Sequence, residues 1–357
     1  MNLGQATLSL WGHYLPSQGR IRTQWDRVQE AIAWRTVRWH FRRFAQRIEK
    51  HVANHWHCYD AIYVHCDVLL AEAVAKYRPT ILRLSGPVSP ERASVLQKLD
   101  AVCANGDALI QLRTILGTKA VELPIGLNTT IFTPTGPSVR SALGWSDRDK
   151  IVGYVGRLTH LKGVTLLASA FRKAVREIPG LKLLIVGHGE DEKALRTMLA
   201  TEASLGQVHI EPDVASEQLP MWYRAMNLIV MPSRYENFSN AILEAMGCGV
   251  PILASEVGGN PLVTQSGAGS LFRSESVNSL HASLTRAFAE PGVLRVRGKQ
   301  GAEYVHGRFS WTVSAECLEG IIEARLGLGS ARASDYYHEV KSLPPSARRD
   351  SNNSLTV

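Results

Sequence analysis

Two periodicities alternate along the chain. Short, largely apolar runs, such as residues 151–155 and Leu181–Val186 with its one Lys182, are separated by longer stretches where apolar residues return every three or four positions. In residues 164–178 the returning set is Leu166, Leu167, Ala170, Phe171, Ala174, Val175 and Ile178. An unbroken apolar run suits a strand buried on both faces, and the 3.6-residue period suits a helix with one buried face. Repeated in series, the two patterns predict parallel sheet with helices laid on it. The first half of the chain gives strands at 61–65 and 80–84, with a helix around 69–76 and a break at Ser85-Gly86-Pro87, and then a further helix–strand–helix–strand sequence ending at 121–123. Residues 124–134 read as a loop, and 134–150, with their Gly, Pro and polar side chains, as a connection. The alternation then restarts, with further strands at Leu228–Met231, 251–254 and 270–272. Helices are expected at 191–203, 217–226, 239–246, 276–290 and Trp311–Leu326, the last turning Val313, Cys317, Leu318, Ile321 and Ile322 inward. The expected fold is therefore α/β, with two parallel-sheet domains in series: residues 1–145, then 146–326 with its last helix, 311–326, packing back, then a loosely ordered tail, 327–357. Before the first of these strands come a strand-like run at 6–14 and one or two amphipathic helices between Gln24 and Lys50. Their apolar positions are Trp25, Val28, Ile32, Val37, Phe41, Phe44 and Ile48.

Composition adds limits. With 45% hydrophobic and 20% charged residues over 357 positions, the chain is an ordinary globular sequence with room for about two domains. No apolar run reaches the length of a membrane-spanning helix, and the N-terminus lacks a secretory signal pattern. Cys58, Cys66, Cys103, Cys248 and Cys317 are odd in number and contain no CxxC pair. They read as buried free thiols in a reducing compartment, which makes the cytoplasm the expected location. Charge is uneven. The first fifty residues carry nine basic side chains against three acids, which is +6 of the net +8. Residues 20–50 could thus be the solvated face of an ordinary helix or could meet an anionic membrane on its inner face. No RNA- or DNA-binding motif supports nucleic acid as the partner.

Three segments carry candidate chemistry. Gly156-Arg157-Leu158-Thr159-His160-Leu161-Lys162-Gly163 lies between a buried strand and a helix. Unpaired backbone N–H groups, the helix dipole, Arg157 and Lys162 all favour an anion such as a diphosphate there. The plainer alternative is a loop with solvated cations. Leu184-Ile185-Val186-Gly187-His188-Gly189-Glu190 has two glycines of a dinucleotide-binding turn but lacks the third. Gly187 then permits a tight turn beside a ligand. The richest segment runs from Arg234 to Pro251. It places Glu236 in a short loop, Ser239 or Asn240 as a helix cap, and Glu244 in the second turn among Ala, Ile, Leu and Met. A dipole-favoured acid accounts for Glu236 but not for Glu244, whose partly buried carboxylate needs partners such as sugar hydroxyls. Asp147-Arg148-Asp149 spells a metal-binding D-x-D, yet it precedes a strand inside the connection and reads as a solvated turn.

Glu236 and Glu244, eight apart and followed by Ala245-Met246-Gly247-Cys248-Gly249-Val250-Pro251 and Gly258-Gly259-Asn260-Pro261, resemble the E-x7-E region of retaining GT-B glycosyltransferases of family 4. The Gly156–Gly163 and Leu184–Glu190 segments, and Leu123-Pro124-Ile125-Gly126-Leu127-Asn128 with Phe132 and Pro134, fall in that family's order. The resemblance runs from about residue 60 to 325. It implies a cleft between two Rossmann-like domains and transfer of a sugar, with retention, from a UDP- or GDP-linked donor to a polysaccharide or lipid-linked acceptor. Arg157 and Lys162 would meet the donor diphosphate and stabilise the leaving group, so that neither metal nor cofactor is required. Glu236 would hold the sugar hydroxyls, and the Phe238, Ser239 and Asn240 backbone would lie beside sugar and phosphate. Glu244 would take the ribose, while Gly156, Gly187 and the loop 211–214, with Val214, would line the nucleotide. The pattern departs in three places. The family's first strand and glycine-rich loop are replaced by Leu15-Pro16-Ser17-Gln18-Gly19, Ser85-Gly86 stands where many members carry His, and Leu262 replaces a Glu. The first departure implies an N-terminal domain short by one or two βα units. A catalytically silent nucleotide-sugar-binding protein is therefore the alternative; epimerisation lacks an acid–base constellation beyond Glu236.

Overall fold

A computed structural model of the chain describes residues 24–86 and 90–328. The run 6–14, basic residues 20–23 and the tail from 329 onward lie outside them. The described residues open on one long helix, α1 (Gln24–His55), where the sequence allowed two. Next come β1 (Ile62–His65), α2 (Val68–Val74), β2 (Thr80–Arg83), α3 (Ala93–Leu96), β3 (Ala101–Ala104), α4 (Gly106–Leu116) and β4 (Ala120–Glu122). The four strands form one parallel sheet in sequential order. Right-handed crossovers that step steadily one way leave every connecting helix on the same face. There Val64, Leu82, Val102 and Ala104 pack against Ala71, Val74, Leu109 and Leu112.

The second half runs β5 (Lys150–Val155), α5 (Val164–Ala174), β6 (Leu181–Val186), α6 (Glu192–Met198), α7 (Ala200–Ser204), β7 (Val208–Glu211), α8 (Leu219–Tyr223) and β8 (Leu228–Met231). It continues through α9 (Asn240–Gly247), β9 (Ile252–Ser255), α10 (Asn260–Thr264), β10 (Gly269–Phe272), α11 (Val277–Ala289), α12 (Pro291–Arg308) and α13 (Trp311–Leu326). Its six strands are all parallel, in the order β10-β9-β8-β5-β6-β7. From β5 the chain winds outward to β7, then returns to the other side of β5 with β8. The strand order therefore reverses between β5 and β8, and a crevice opens beyond their C-terminal ends. Each face has its own core. Leu167, Phe171, Leu195, Leu280 and Leu284 fill one; Tyr223, Ile242, Met246 and Val305 fill the other. Helix α13 then leaves this half and returns to the first sheet. Its Ile321, with Cys317, Leu318 and Ile322, covers the face made by Ile81, Ala101, Cys103 and Val121.

Several expectations change. Strand β7 and helices α10 and α12 are not foreseen, the 191–203 helix divides into α6 and α7, and the 217–226 helix contracts to α8. Cys58 and Cys66 are exposed, so only part of the cysteine set is buried. Among the described side chains of α1, Ala45 and Val52 are buried and Ile48 packs partly buried against the same core, whereas Phe41 and Phe44 remain exposed; the side chains of Trp25, Val28, Ile32 and Val37 lie outside the described residues. A helix that covers only one edge of a small domain buries a narrow stripe, and small residues suffice for it. Among the described residues no helix is long and apolar enough to cross a membrane.

Candidate functional site

The crevice is built from three turns that leave β5, β6 and β8. Each is held against the next by a glycine whose missing side chain lets backbone meet backbone. Gly163, at φ 68°, lies against the Pro232 carbonyl, and Gly187, at φ 132°, against that of Gly156. A Cβ at either would collide with a carbonyl oxygen. Hydrogen bonds reinforce the lacing: Leu158 N–H donates to the His188 carbonyl at 2.9 Å, and Arg234 N–H to that of Leu161 at 2.8 Å. These contacts carry Lys162, at the end of a single helical turn after β5, against the loop after β8. There its Nζ donates to Glu236 Oε2 at 2.6 Å. The pair is largely enclosed, with 21% of the Lys162 side chain and 10% of the Glu236 side chain exposed. Ser233 Oγ approaches the same Glu236 oxygen at 3.4 Å.

Helix α9 begins directly beyond. Its N-cap, Ser239, is extended and buried but makes no side-chain capping bond, so the first-turn N–H groups keep their capacity for an anion. Asn240 is exposed at the first helical position. The Phe238 ring stacks on Phe309 with centroids 5.9 Å apart, which anchors the loop to the core. One turn into α9, Glu244 accepts a hydrogen bond from the Tyr223 hydroxyl at 2.7 Å. Burial raises the Glu244 carboxyl above its ordinary range, an effect the Tyr223 bond opposes. Burial, and then the charge of Glu244, drive the Tyr223 phenol well above its ordinary value, so it stays a donor. A second buried tyrosine supports the β5 turn. The Tyr154 hydroxyl donates to the Arg157 carbonyl at 2.7 Å, and burial together with the Glu236 charge raises its pKa.

The structure thus brings Lys162 and Glu236 into direct contact, one strand apart, with Ser239 at the start of the next helix. Gly156 and Gly187 meet at the base of the same crevice. Arg157 is exposed in the turn after β5. Val214 packs partly buried against the core shared with Trp222, two residues beyond Pro212, whose carbonyl the His188 ring meets at 3.1 Å. Glu244 is partnered by Tyr223. In the D-x-D triplet Asp147 is exposed, and Asp149 closes a turn by accepting from Ser146 N–H at 2.6 Å and Ser146 Oγ at 3.0 Å. Among the described residues no three His, Cys, Asp or Glu side chains assemble as a metal site. Sequence reasoning missed Tyr154, Tyr223 and Ser233, and gave Asn237 no role. A polar-tipped residue in the otherwise apolar strand Lys150–Val155 was the available signal for Tyr154; Tyr223 is visible only once α8 is placed beside α9.

Residues 137–304 match the family model described as Glycosyl transferases group 1. A D-inositol 3-phosphate glycosyltransferase of Segniliparus rotundus is 33% identical over 218 residues, 59% of this chain and 48% of that protein. A GDP-mannose-dependent monoacylated alpha-(1-6)-phosphatidylinositol monomannoside mannosyltransferase of Corynebacterium glutamicum is 29% identical, across 57% of this chain and 56% of that one. The chain therefore spans about half the length of these curated relatives. Among solved structures, sucrose-phosphate synthase from Thermosynechococcus elongatus superposes with a TM-score of 0.63 at 25% identity, covering 84% of this chain and 77% of its own. The two-sheet α/β architecture is that of GT-B glycosyltransferases.

Proposed function

We propose that the chain is a glycosyltransferase that binds a UDP- or GDP-linked sugar in the crevice beyond β5 and β8 and transfers the sugar, with retention of configuration, to a polysaccharide or lipid-linked acceptor. The Lys162–Glu236 pair at the point where strand order reverses carries this reading. A cation and a carboxylate that neutralise each other there can be separated by a ligand with a diphosphate at one end and hydroxyls at the other. Lys162 and Arg157 then take the diphosphate charge, most strongly as the bond to the sugar breaks and the electron pair leaves with the phosphate oxygen. Glu236 turns to the sugar hydroxyls. The N-terminus of α9 faces phosphate or sugar oxygen, and Glu244, held by Tyr223, accepts from the ribose hydroxyls. Gly156, Gly187 and Val214 line the nucleotide. The charge is handled by side chains and a helix terminus, so the proposal includes no divalent ion.

The names of the relatives, an inositol phosphate glycosyltransferase and a mannosyltransferase acting on a lipid, support a polar or lipid-linked acceptor. Helix α1 supports an acceptor at an anionic membrane on the cytoplasmic side. Trp39, Phe41 and Phe44 are exposed beside Arg42, Arg43 and Arg47, and the Arg43 guanidinium lies 4.2 Å from the centre of the Trp39 ring. Basic and aromatic side chains on one helix suit the headgroup region.

The test is nucleotide-dependent stabilisation followed by product analysis. A nucleoside diphosphate present at a hundred times its dissociation constant stabilises the native state by about 2.7 kcal/mol, a rise of a few degrees in melting temperature. No shift with either UDP or GDP would overturn the donor assignment. Binding without donor hydrolysis or transfer would leave a nucleotide-sugar-binding protein, and an inverted product would overturn retention.

A further inference from the structure

Asn237 stands one residue beyond Glu236, only 9% exposed, and its carboxamide reaches across to the other half of the molecule. Nδ2 donates to the Ser85 carbonyl at 3.2 Å, in the loop that leaves β2. Oδ1 accepts from the Ala108 N–H at 2.9 Å, in the first turn of α4. That helix has an N-cap residue of its own, Asn105, but Asn105 makes no capping bond. Its Oδ1 accepts instead from Arg83 at 3.0 Å. The first turn of α4 is thus capped by a side chain from the opposite domain, 129 residues away in sequence.

The backbone around Asn237 is shaped for the same contact. Gly106, the first residue of α4, holds φ 58° and lies against the Asn237 carbonyl, where a Cβ would collide. Gly258 and Gly259 press in the same way on the carbonyls of Glu236 and Asn237, and Gly259 N–H donates to the Glu236 carbonyl at 2.9 Å. The peptide carrying the proposed sugar-binding carboxylate is therefore clasped by one glycine from the first half and two from the second.

We propose that Asn237 is a positioning residue that latches the two halves of the cleft together and sets Glu236 in the same act. Its catalytic consequence rests on the donor-site reading above; the latch itself does not. The position needs one group that donates and one that accepts, both buried, and a carboxamide supplies both. An ionised Asp can still accept from Ala108 but meets the Ser85 carbonyl with a lone pair; Ala loses both bonds. Lys162, Glu244 and the α9 terminus all belong to the second half, so opening the latch leaves them able to hold a nucleotide while the donor sugar loses its set geometry.

The experiment combines amide hydrogen exchange, small-angle scattering and steady-state kinetics on the full chain. In Asn237→Ala the Ala108 amide exchanges about tenfold faster, the loss of one buried hydrogen bond. The radius of gyration rises, and kcat falls at least about tenfold while UDP or GDP affinity stays within about twofold. In Asn237→Asp the Ala108 amide stays protected, and kcat recovers as acid protonates the carboxyl and restores a donor toward Ser85. Ala108→Pro removes the N–H from the other side, in the first turn where no intrahelical bond uses it, and it reproduces the kcat loss with no change on the donor side. Unchanged exchange at Ala108 in Asn237→Ala, or a kcat within about twofold of the parent in both Asn237→Ala and Ala108→Pro, overturns the latch. Should the parent bind no nucleotide, the donor reading fails by itself, and exchange and scattering still decide the latch.

Discussion

Replacing Glu236 by Gln separates the two tasks assigned to the crevice. In the free protein Lys162 spends its charge on Glu236 across 2.6 Å, with both side chains mostly shielded from water. Two unit charges at about 4 Å interact by about 4 kcal/mol at an effective dielectric near 20. After desolvation, a charge-assisted hydrogen bond of this kind contributes about 1.5–3 kcal/mol. A diphosphate entering the site must displace that bond and also sits near the carboxylate. Glu236→Gln removes both obstacles, so UDP or GDP binds more tightly, by about ten- to a hundredfold at 1.4 kcal/mol per decade. The sugar loses a charged hydrogen-bond partner in the same variant, and transfer falls by about a hundredfold or more. Titration calorimetry with the nucleoside diphosphate, beside initial rates with the whole nucleotide sugar, reads both effects. Lys162→Met supplies the control and loses both binding and rate. If Glu236→Gln binds the nucleoside diphosphate no better than the parent, Lys162 is not the diphosphate ligand and the reasoning fails.

Glu244→Gln has opposite effects on stability and binding. Burial raises the Glu244 carboxyl, so the native state holds that proton more tightly than the unfolded chain. Its contribution to stability is full at low pH and is lost as pH climbs from the ordinary carboxylate range through the raised one. Glu244→Gln should therefore melt at a higher temperature than the parent at neutral pH, with the difference closing in acid, while nucleotide affinity drops about ten- to a hundredfold; scanning calorimetry with and without nucleotide reads both. Tyr223→Phe removes the phenol that opposes this shift, and nucleotide affinity falls about tenfold, as measured by calorimetry. Gly163→Ala sets a Cβ against the Pro232 carbonyl at φ 68° and destabilises the fold by about 1–3 kcal/mol, with loss of transfer; a neutral result in denaturant melts would refute the lacing of the two turns. Transfer assayed after exhaustive chelation keeps its rate, and a loss restored by Mg2+ or Mn2+ would overturn the metal-free scheme.

The second sheet was largely legible because its inner strands are buried on both faces and so read as near-continuous apolar runs; Leu181–Val186, interrupted by Lys182 alone, and Leu228–Met231 match the sequence expectation end to end. Strand β7, Val208–Glu211, is an edge strand of mixed composition, half-buried along its length, and carries no such run. Helix α12 escaped for a different reason. It packs through glycine: Gly298 lies on the Gly249 carbonyl, and Gly301 against Ala268 and Met246. A helix that approaches its neighbour by backbone shows no apolar stripe. At the site, Glu236, Glu244 and Lys162 stood out as candidates by residue type and spacing, yet the pairing of Lys162 with Glu236 did not. That contact depends on two turns meeting across 74 residues. Tyr223 was hidden likewise, since a buried phenol facing a carboxylate has no local signature.

The return of α13 to the first sheet ties the two ends of the described chain into one assembly step. Until residues 311–326 emerge from the ribosome, Ile81, Ala101, Cys103 and Val121 lack the cover that α13 gives them. Domains generally fold in the order they are made, but this one must wait for the other to be completed. The half-finished sheet is a sticky surface for the whole of that interval, and its final closure is a long-range event of the kind that slows folding. A nascent chain arrested before residue 311 should therefore recruit hydrophobic-surface chaperones, and it should release them once α13 has been added.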